Sequence, residues 1–241
     1  HDQLDSYGEG LDKLYNDLAH NNIIINRDSK AIDQVFRKEI DHYFKTNVLA
    51  FLQPRFIKEG QVPFLNNKEL YFAVRVLSGE ETKFAIVNIP SDKLPRCYKI
   101  TEANGVHRFI FLEDIIRINL ETVFPDFEIF ERVSIKLNKD ADLHIDDEYS
   151  GDLVEKIKKK INKRNLGVPS RFLYDEKISD ELLNALIQAL KLEEDDLVPG
   201  GRYHNLNDYF QISNPGGPEL EFKKQPASLL SSIDRFASLF K

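Results

Sequence analysis

Leu70–Leu77, LYFAVRVL, and Lys83–Ile89, KFAIVNI, decide the fold class. Both runs are rich in β-branched and aromatic residues, which pack well on a half-buried pleated surface. Ser78-Gly79-Glu80-Glu81 between them is turn-forming, so the two runs read as a hairpin. A second pair lies downstream, where Arg96–Ile100 and His107–Leu112 bracket Asn104-Gly105, a dipeptide suited to a tight hairpin turn. Phe127–Leu137 is a further long strand, expected to break at Asn138-Lys139-Asp140. Ser170–Tyr174 is another, and Ile23–Ile25 is a short apolar strand near the start.

Helical spacing surrounds these strands. Leu4–Ala19 places Leu4, Tyr7, Leu11, Leu14, Tyr15 and Leu18 at intervals of three and four, ending at Asn21-Asn22. Ser29–Thr46 predicts a second helix with Ile32, Val35, Phe36, Ile40, Tyr43 and Phe44 inward and Asp28 or Ser29 as N-cap. Glu113–Val123, Leu153–Asn165, Ser179–Leu190 and Leu229–Phe240 follow the same period, with Leu182, Leu183, Leu186 and Leu190 on the buried side of the third. Val198–Asn205 and Ser213–Pro218 read as irregular, glycine-containing stretches. Strand pairs grouped early with helices interspersed later predict an α+β fold, a mixed β-sheet with flanking helices and helical extensions at both ends.

The bulk composition bounds the function without choosing it. The chain has 241 residues, 41% hydrophobic and 30% charged, ordinary for a globular protein. Its formal net charge of −7 argues against a general nucleic-acid binder, since a polyanion is repelled at long range. Cys97 is the sole cysteine, which excludes an intramolecular disulfide and a cysteine metal cluster and fits a reducing cytoplasm. No apolar run approaches the ~20 residues that span a bilayer. The absence of Met and the unattached amphipathic run at the end read as an excised piece of a longer protein.

No motif supplies chemistry outright. The sequence has no GxGxxG, no Walker loop and no kinase HRD or DFG set. Gly200-Gly201-Arg202 has the makings of a phosphate contact, with backbone N–H groups and a guanidinium; a plain turn with an exposed arginine is the competing reading. His204 would need a partner to act as a nucleophile, and Asn205 and Asp208 are the neighbours in sequence; a loop histidine bonded to backbone is the alternative. The other histidines show no zinc spacing. Lys156, Lys158, Lys159, Lys160, Lys163 and Arg164 form a basic run that reads as a solvated helix face, with attraction of a polyanion as the rival account. Glu193-Glu194-Asp195-Asp196 reads as a solvated connection rather than a cation site.

A family resemblance goes further. Leu197–Asn205 (LVPGGRYHN), followed by Asp208-Tyr209-Phe210, resembles a segment of the head, or middle, region of the long-chain, histidine-phosphorylated polyphosphate kinases. Ala85–Arg96 (AIVNIPSDKLPR) is similar to the family's strand ending in a Pro-Arg turn, and Phe111–Ile116 to its LEDII helix start. Ile135–Leu143 resembles its TRDAD segment, with Asn138-Lys139 in place of Thr-Arg. Ser170–Tyr174 and Lys224-Gln225-Pro226 resemble further pieces in the same order, so the resemblance covers 21–226.

The resemblance implies three parts. Residues 1–21 would be the last helix of an N-terminal helical domain, 22–223 the head domain, and 224–241 a linker and helix leading onward. The family transfers the terminal phosphate of ATP reversibly to polyphosphate through a phosphohistidine, with Mg²⁺. Its catalytic histidines, arginines and metal ligands lie on two C-terminal phospholipase D-like domains, so none is placed on this chain. The implied role is a non-catalytic module that forms a homodimer or homo-oligomer and walls the active-site tunnel. Its partners would be the parent's own catalytic domains and polyphosphate, in the cytoplasm, with peripheral membrane attachment left open. Gly201, Arg202 and His204 are the candidates for the polyphosphate or nucleotide path. The rival class is a freestanding interaction or scaffold module with no enzymatic parent.

Overall fold

Strand β3, Leu70–Ser78, is buried on both faces, and the rest of the molecule is arranged around it. Leu70, Phe72, Val74 and Val76 enter one core, while Tyr71 and Ala73 enter the other. The computed structural model describes residues 2–27, 32–58, 60–139, 169–200 and 206–225. Among them, β1 (Ile23–Asn26), β5 (Cys97–Ala103) and β6 (Val106–Phe111) form a three-stranded sheet in the order β1-β6-β5. The larger, six-stranded sheet runs β2-β4-β3-β7-β8-β9, with β2 at Arg55–Phe56, β4 at Glu81–Ile89, β7 at Glu128–Lys139, β8 at Pro169–Asp175 and β9 at Leu197–Gly200. Pairing is antiparallel except for β1 with β6 and β8 with β9. The α+β class with mixed sheets is therefore observed, divided between two sheets rather than gathered in one.

Turn chemistry sets the registers. Ser78 pairs with Glu81, leaving Gly79-Glu80 as a two-residue hairpin loop. Asn104 and Gly105 both take positive φ, 55° and 70°, the combination that matches the strand twist in a tight hairpin. The expected break at Asn138-Lys139 does not occur: β7 carries on through both, opposite Arg171 and Pro169 of β8, with a register shift between them. A bulge of this kind absorbs polar residues without ending the ladder.

Helices cover the larger sheet on both sides. On one, α2 (Gln34–Tyr43) runs into a π-helical turn, Phe44–Val48, and Ile40, Phe44 and Val48 are fully buried against β3 and β4. With them lie α3 (Leu112–Ile118) and α4 (Leu120–Val123). On the other side α5, Asp180–Leu190, inserts Leu182, Leu186 and Leu190, with Leu183 half-buried. Helix α1, Asp2–His20, lies against β1 and buries Tyr15, while Leu14 of its expected stripe is exposed.

The start of α2 corrects the sequence reading. Its N-cap is Asp33, whose carboxylate accepts the Val35 N–H at 3.0 Å, not Asp28 or Ser29. That later start turns Val35 outward, at 71% exposure. The stretch expected to be irregular from Val198 begins as strand β9, because its backbone finds an open edge on β8. The helices expected over 153–165 and 229–240 lie outside the described residues.

Ser179, expected as the first residue of α5, is instead its N-cap, accepting the Leu182 N–H, and is itself held by Glu131. At the other end Lys191 closes the helix in the left-handed region (φ 54°, ψ 48°), returning Leu192 to the core. A side chain there costs about 1 kcal/mol that glycine does not incur. Lys191→Gly is expected to raise stability by roughly 0.5–1 kcal/mol in urea unfolding; a loss instead would show that the lysine stem contributes more than its backbone costs.

Candidate functional site

Three segments singled out in the sequence meet at one point. The first is the turn after β4, where Pro90 accepts backbone N–H groups from Lys93 and Leu94 and the chain arrives at Arg96. The second is the start of α3, whose Glu113 lies in the first turn. Arg96 and Glu113 are exposed by only 2% and 1% and form a two-pronged ion pair, with Arg96 Nε donating to Glu113 Oε2 at 2.6 Å and Nη2 donating to Oε1. The backbone is tied at the same place, because Leu112 N–H donates to Arg96 O at 2.8 Å.

The neighbouring charges are committed in the same way. Arg117 donates from Nη1 to Arg132 O at 2.8 Å, stacks on Phe72 at 4.8 Å and lies 3.7 Å from Asp114. Asn119 Nδ2 donates to Ile115 O at 3.0 Å. These groups fasten α3 to β7 and to the central strand.

The third, Asp208-Tyr209-Phe210, lies within a 3₁₀ turn, Leu206–Gln211. Tyr209 packs edge-on against Phe111, with ring centroids 5.3 Å apart, and its hydroxyl meets that of Tyr15 on α1. Gln211 Oε1 accepts the Arg96 N–H at 3.2 Å. Arg27 completes the contact, stacked on Tyr15 at 4.1 Å and paired with Asp12.

Gly201, Arg202 and His204 lie outside the described residues, as do Asn205 and the basic run 156–164. Their flanks are placed. Gly200 ends β9 opposite Asp175, where neither a positive φ nor a close neighbour requires glycine. The acidic run closes on itself: Asp196 accepts the Glu193 N–H at 2.9 Å in a short capped turn, the solvated connection expected. Elsewhere, a cavity of about 180 Å³ beside Arg55, Glu69 and Tyr71 is lined by groups that satisfy one another. Tyr71 accepts the Asn66 N–H and donates to Glu69, and burial pushes its pKa up to about 12.

The comparisons with known proteins identify the family. Residues 36–212 match the family described as polyphosphate kinase middle domain. This chain belongs to the polyphosphate kinase family. It is 30% identical over 96% of its length to a polyphosphate kinase of Vibrio cholerae, and 31% identical over 90% to that of Escherichia coli K12. The crystal structure of polyphosphate kinase from Porphyromonas gingivalis superposes over 95% of the chain, with a TM-score of 0.74 and 26% identity. The chain spans about a third of each relative: 35%, 33% and 33% respectively.

Sequence reasoning noted the Pro-Arg turn and the LEDII start separately but missed that Arg96 and Glu113 are partners. The available signal was a charged pair, Glu113-Asp114, inside the apolar run 109–118, since such charges are buried only when matched. Removing one partner strands the other, so Glu113→Ala is expected to cost roughly 3–5 kcal/mol in denaturant unfolding, while Arg96→Met with Glu113→Leu recovers most of it. Cys97 adjoins the pair; burial and then Glu113 push its thiol pKa from 9.0 up to about 12, against a smaller opposing pull from Arg96. The native thiol therefore stays protonated below that pH. At pH 8 it should react with a disulfide reagent at least about tenfold more slowly than a thiol of ordinary pKa, the scarcity of thiolate outweighing its greater nucleophilicity, with the rate recovered on unfolding.

Proposed function

We propose that this chain is the middle region of a longer polyphosphate kinase, whose whole polypeptide transfers the terminal phosphate of ATP reversibly to polyphosphate. The supporting observation is the match of 36–212 to a polyphosphate kinase middle domain, in a chain about a third as long as its relatives. In this reading the module shapes the path to the reacting centre and forms contacts between copies, while other parts of the parent carry the chemistry. Membership of this family removes the ground for a freestanding scaffold with no enzymatic parent.

Phosphoryl transfer relies on positioned cations and metal around the phosphate. The buried arginines here, Arg96 and Arg117, are committed to Glu113 and to Arg132 O and Phe72. Among the described residues no three His, Cys, Asp or Glu side chains gather as a metal-ligand set, and the buried carboxylates of Glu113 and Asp114 face arginines. The described part of the chain thus does not fit Mg²⁺, and we assign Mg²⁺ and ATP to other parts of the parent. We place the parent in the cytoplasm, in keeping with the single cysteine, Cys97, of this chain.

Arg202 and His204 are the residues of this chain we assign to the polyphosphate path. Their chemistry supports it: a planar fork for phosphate oxygens and a pH-dependent donor, in a segment bounded by β9 and the Tyr209 contact.

Two assays test the reading. The 241-residue chain with ATP and Mg²⁺ is expected to make no polyphosphate, while the longer parent does; histidine-dependent turnover by the chain alone would contradict this. In the parent, Arg202→Ala should weaken polyphosphate binding or turnover with the melting temperature unchanged. Lower stability with normal kinetics would make Arg202 a structural residue instead.

A further inference from the structure

We infer that the groove between α5 and the chain that follows β2 is a binding site for a small amphiphilic monoanion, a free medium-chain fatty acid. The groove holds about 450 Å³. Ile57 and Val62 line it from the chain after β2, Phe84 from β4, and Ala185 and Ala189 from α5. Local chemistry keeps it open. Gln61 N–H donates to Lys58 O at 3.1 Å and Gly60 takes a φ of 73°, so the chain turns sharply there. A Cβ added to Gly60 would meet nothing within 4 Å, so the turn stands clear of its surroundings. On α5, Leu182, Leu186 and Leu190 fill the core, while Ala185 and Ala189, one turn apart, offer only methyl groups to the groove. An occupant would cover Val62, which is 53% exposed.

Charge selects the head group. Among the described residues that line the groove, the charged ones are Lys58 and Lys191, and neither meets a carboxylate among the described residues. In a chain of net charge −7, two cations beside an apolar groove favour an anion there. The same place limits how much negative charge it accepts. Lys191 follows the last turn of α5, whose free carbonyls carry partial negative charge. One carboxylate shared by two ammonium groups suits that position. A polyphosphate chain, negative along its whole length, does not.

The volume sets the tail. A methylene fills about as much room as a water in the liquid, ~30 Å³, so an acyl chain of about eight carbons fits together with its carboxylate. Taking its methylenes out of water against Val62, Phe84 and the two alanines drives binding, and each one adds to the affinity. An apolar lining with a few polar groups to orient the ligand is the usual make-up of a small-molecule site.

Isothermal titration of this chain with octanoate, hexanoate, octanol and tripolyphosphate, all below any micelle-forming concentration, tests the site. Octanoate should bind saturably at one site, and hexanoate several-fold more weakly. Lys58→Gln with Lys191→Gln should weaken octanoate about fivefold and leave octanol unchanged. Ala189→Leu, whose side chain would occupy the groove, should abolish binding of both without lowering the melting temperature. Ala185→Val, which fills less of the groove, takes its place if Ala189→Leu destabilises the chain. Absence of saturable octanoate binding overturns the site. Octanoate binding that survives the filled groove, or that ignores the loss of both lysines, also overturns it, because the ligand then lies elsewhere or is held by its tail alone. Displacement of octanoate by tripolyphosphate overturns it too, by making the groove a polyanion site.

Discussion

A guanidinium and a carboxylate sealed from water must stay paired, and Arg96 with Glu113 places that constraint where the two sheets meet. Arg96 stands at the exit from β4 and the entrance to β5, and Glu113 at the first turn of α3. Because Leu112 donates to Arg96 O, the side-chain pair and the backbone fix the same approach. Helix α3 then brings Ile115 and Ile116 onto the face of β3 that carries Phe72. The three-stranded sheet is carried along, since β6 runs directly into α3. An apolar contact in that place would tolerate sliding; a two-pronged buried pair tolerates one arrangement.

The 3₁₀ turn Leu206–Gln211 reaches the same junction. Gln211 takes the one backbone N–H of Arg96, and Tyr209 fills the space between Phe111 and Tyr15. The ends of 201–205 are thereby set by two different bodies, the parallel edge of the larger sheet at Gly200 and the Arg96 junction beyond Leu206. That placement connects the fold to the proposed function. The segment proposed to face polyphosphate is bounded by strand β9 on one side and the 3₁₀ turn from Leu206 on the other.

Local chemistry made much of the fold legible. The β3–β4 hairpin and the Asn104-Gly105 turn depend on neighbours in sequence, and each formed as its residues predict. What could not be read depends on distant partners. Strand β9 exists because β8 offers an edge to Leu197–Gly200, and nothing in that tetrapeptide names it. Asp33 caps α2 because the helix begins where Phe36 and Ile40 meet the core, a register set by β3 and β4. Asn138 and Lys139 look like a strand end and are carried past it by pairing with β8. For the junction, the sequence showed both charged motifs, and only the fold showed that they are one interaction.

The account requires that the junction open only together with the central sheet. Native-state hydrogen exchange measures this directly at the Arg96 and Leu112 amides, which bond to Gln211 and to Arg96 O. Both amides should share the opening free energy and the denaturant dependence of the β3 amides from Phe72 to Val74, the slowest-exchanging class. Exchange at Arg96 and Leu112 through a separate, low-energy opening while β3 stays protected would show that the buried pair decorates the fold rather than holding it.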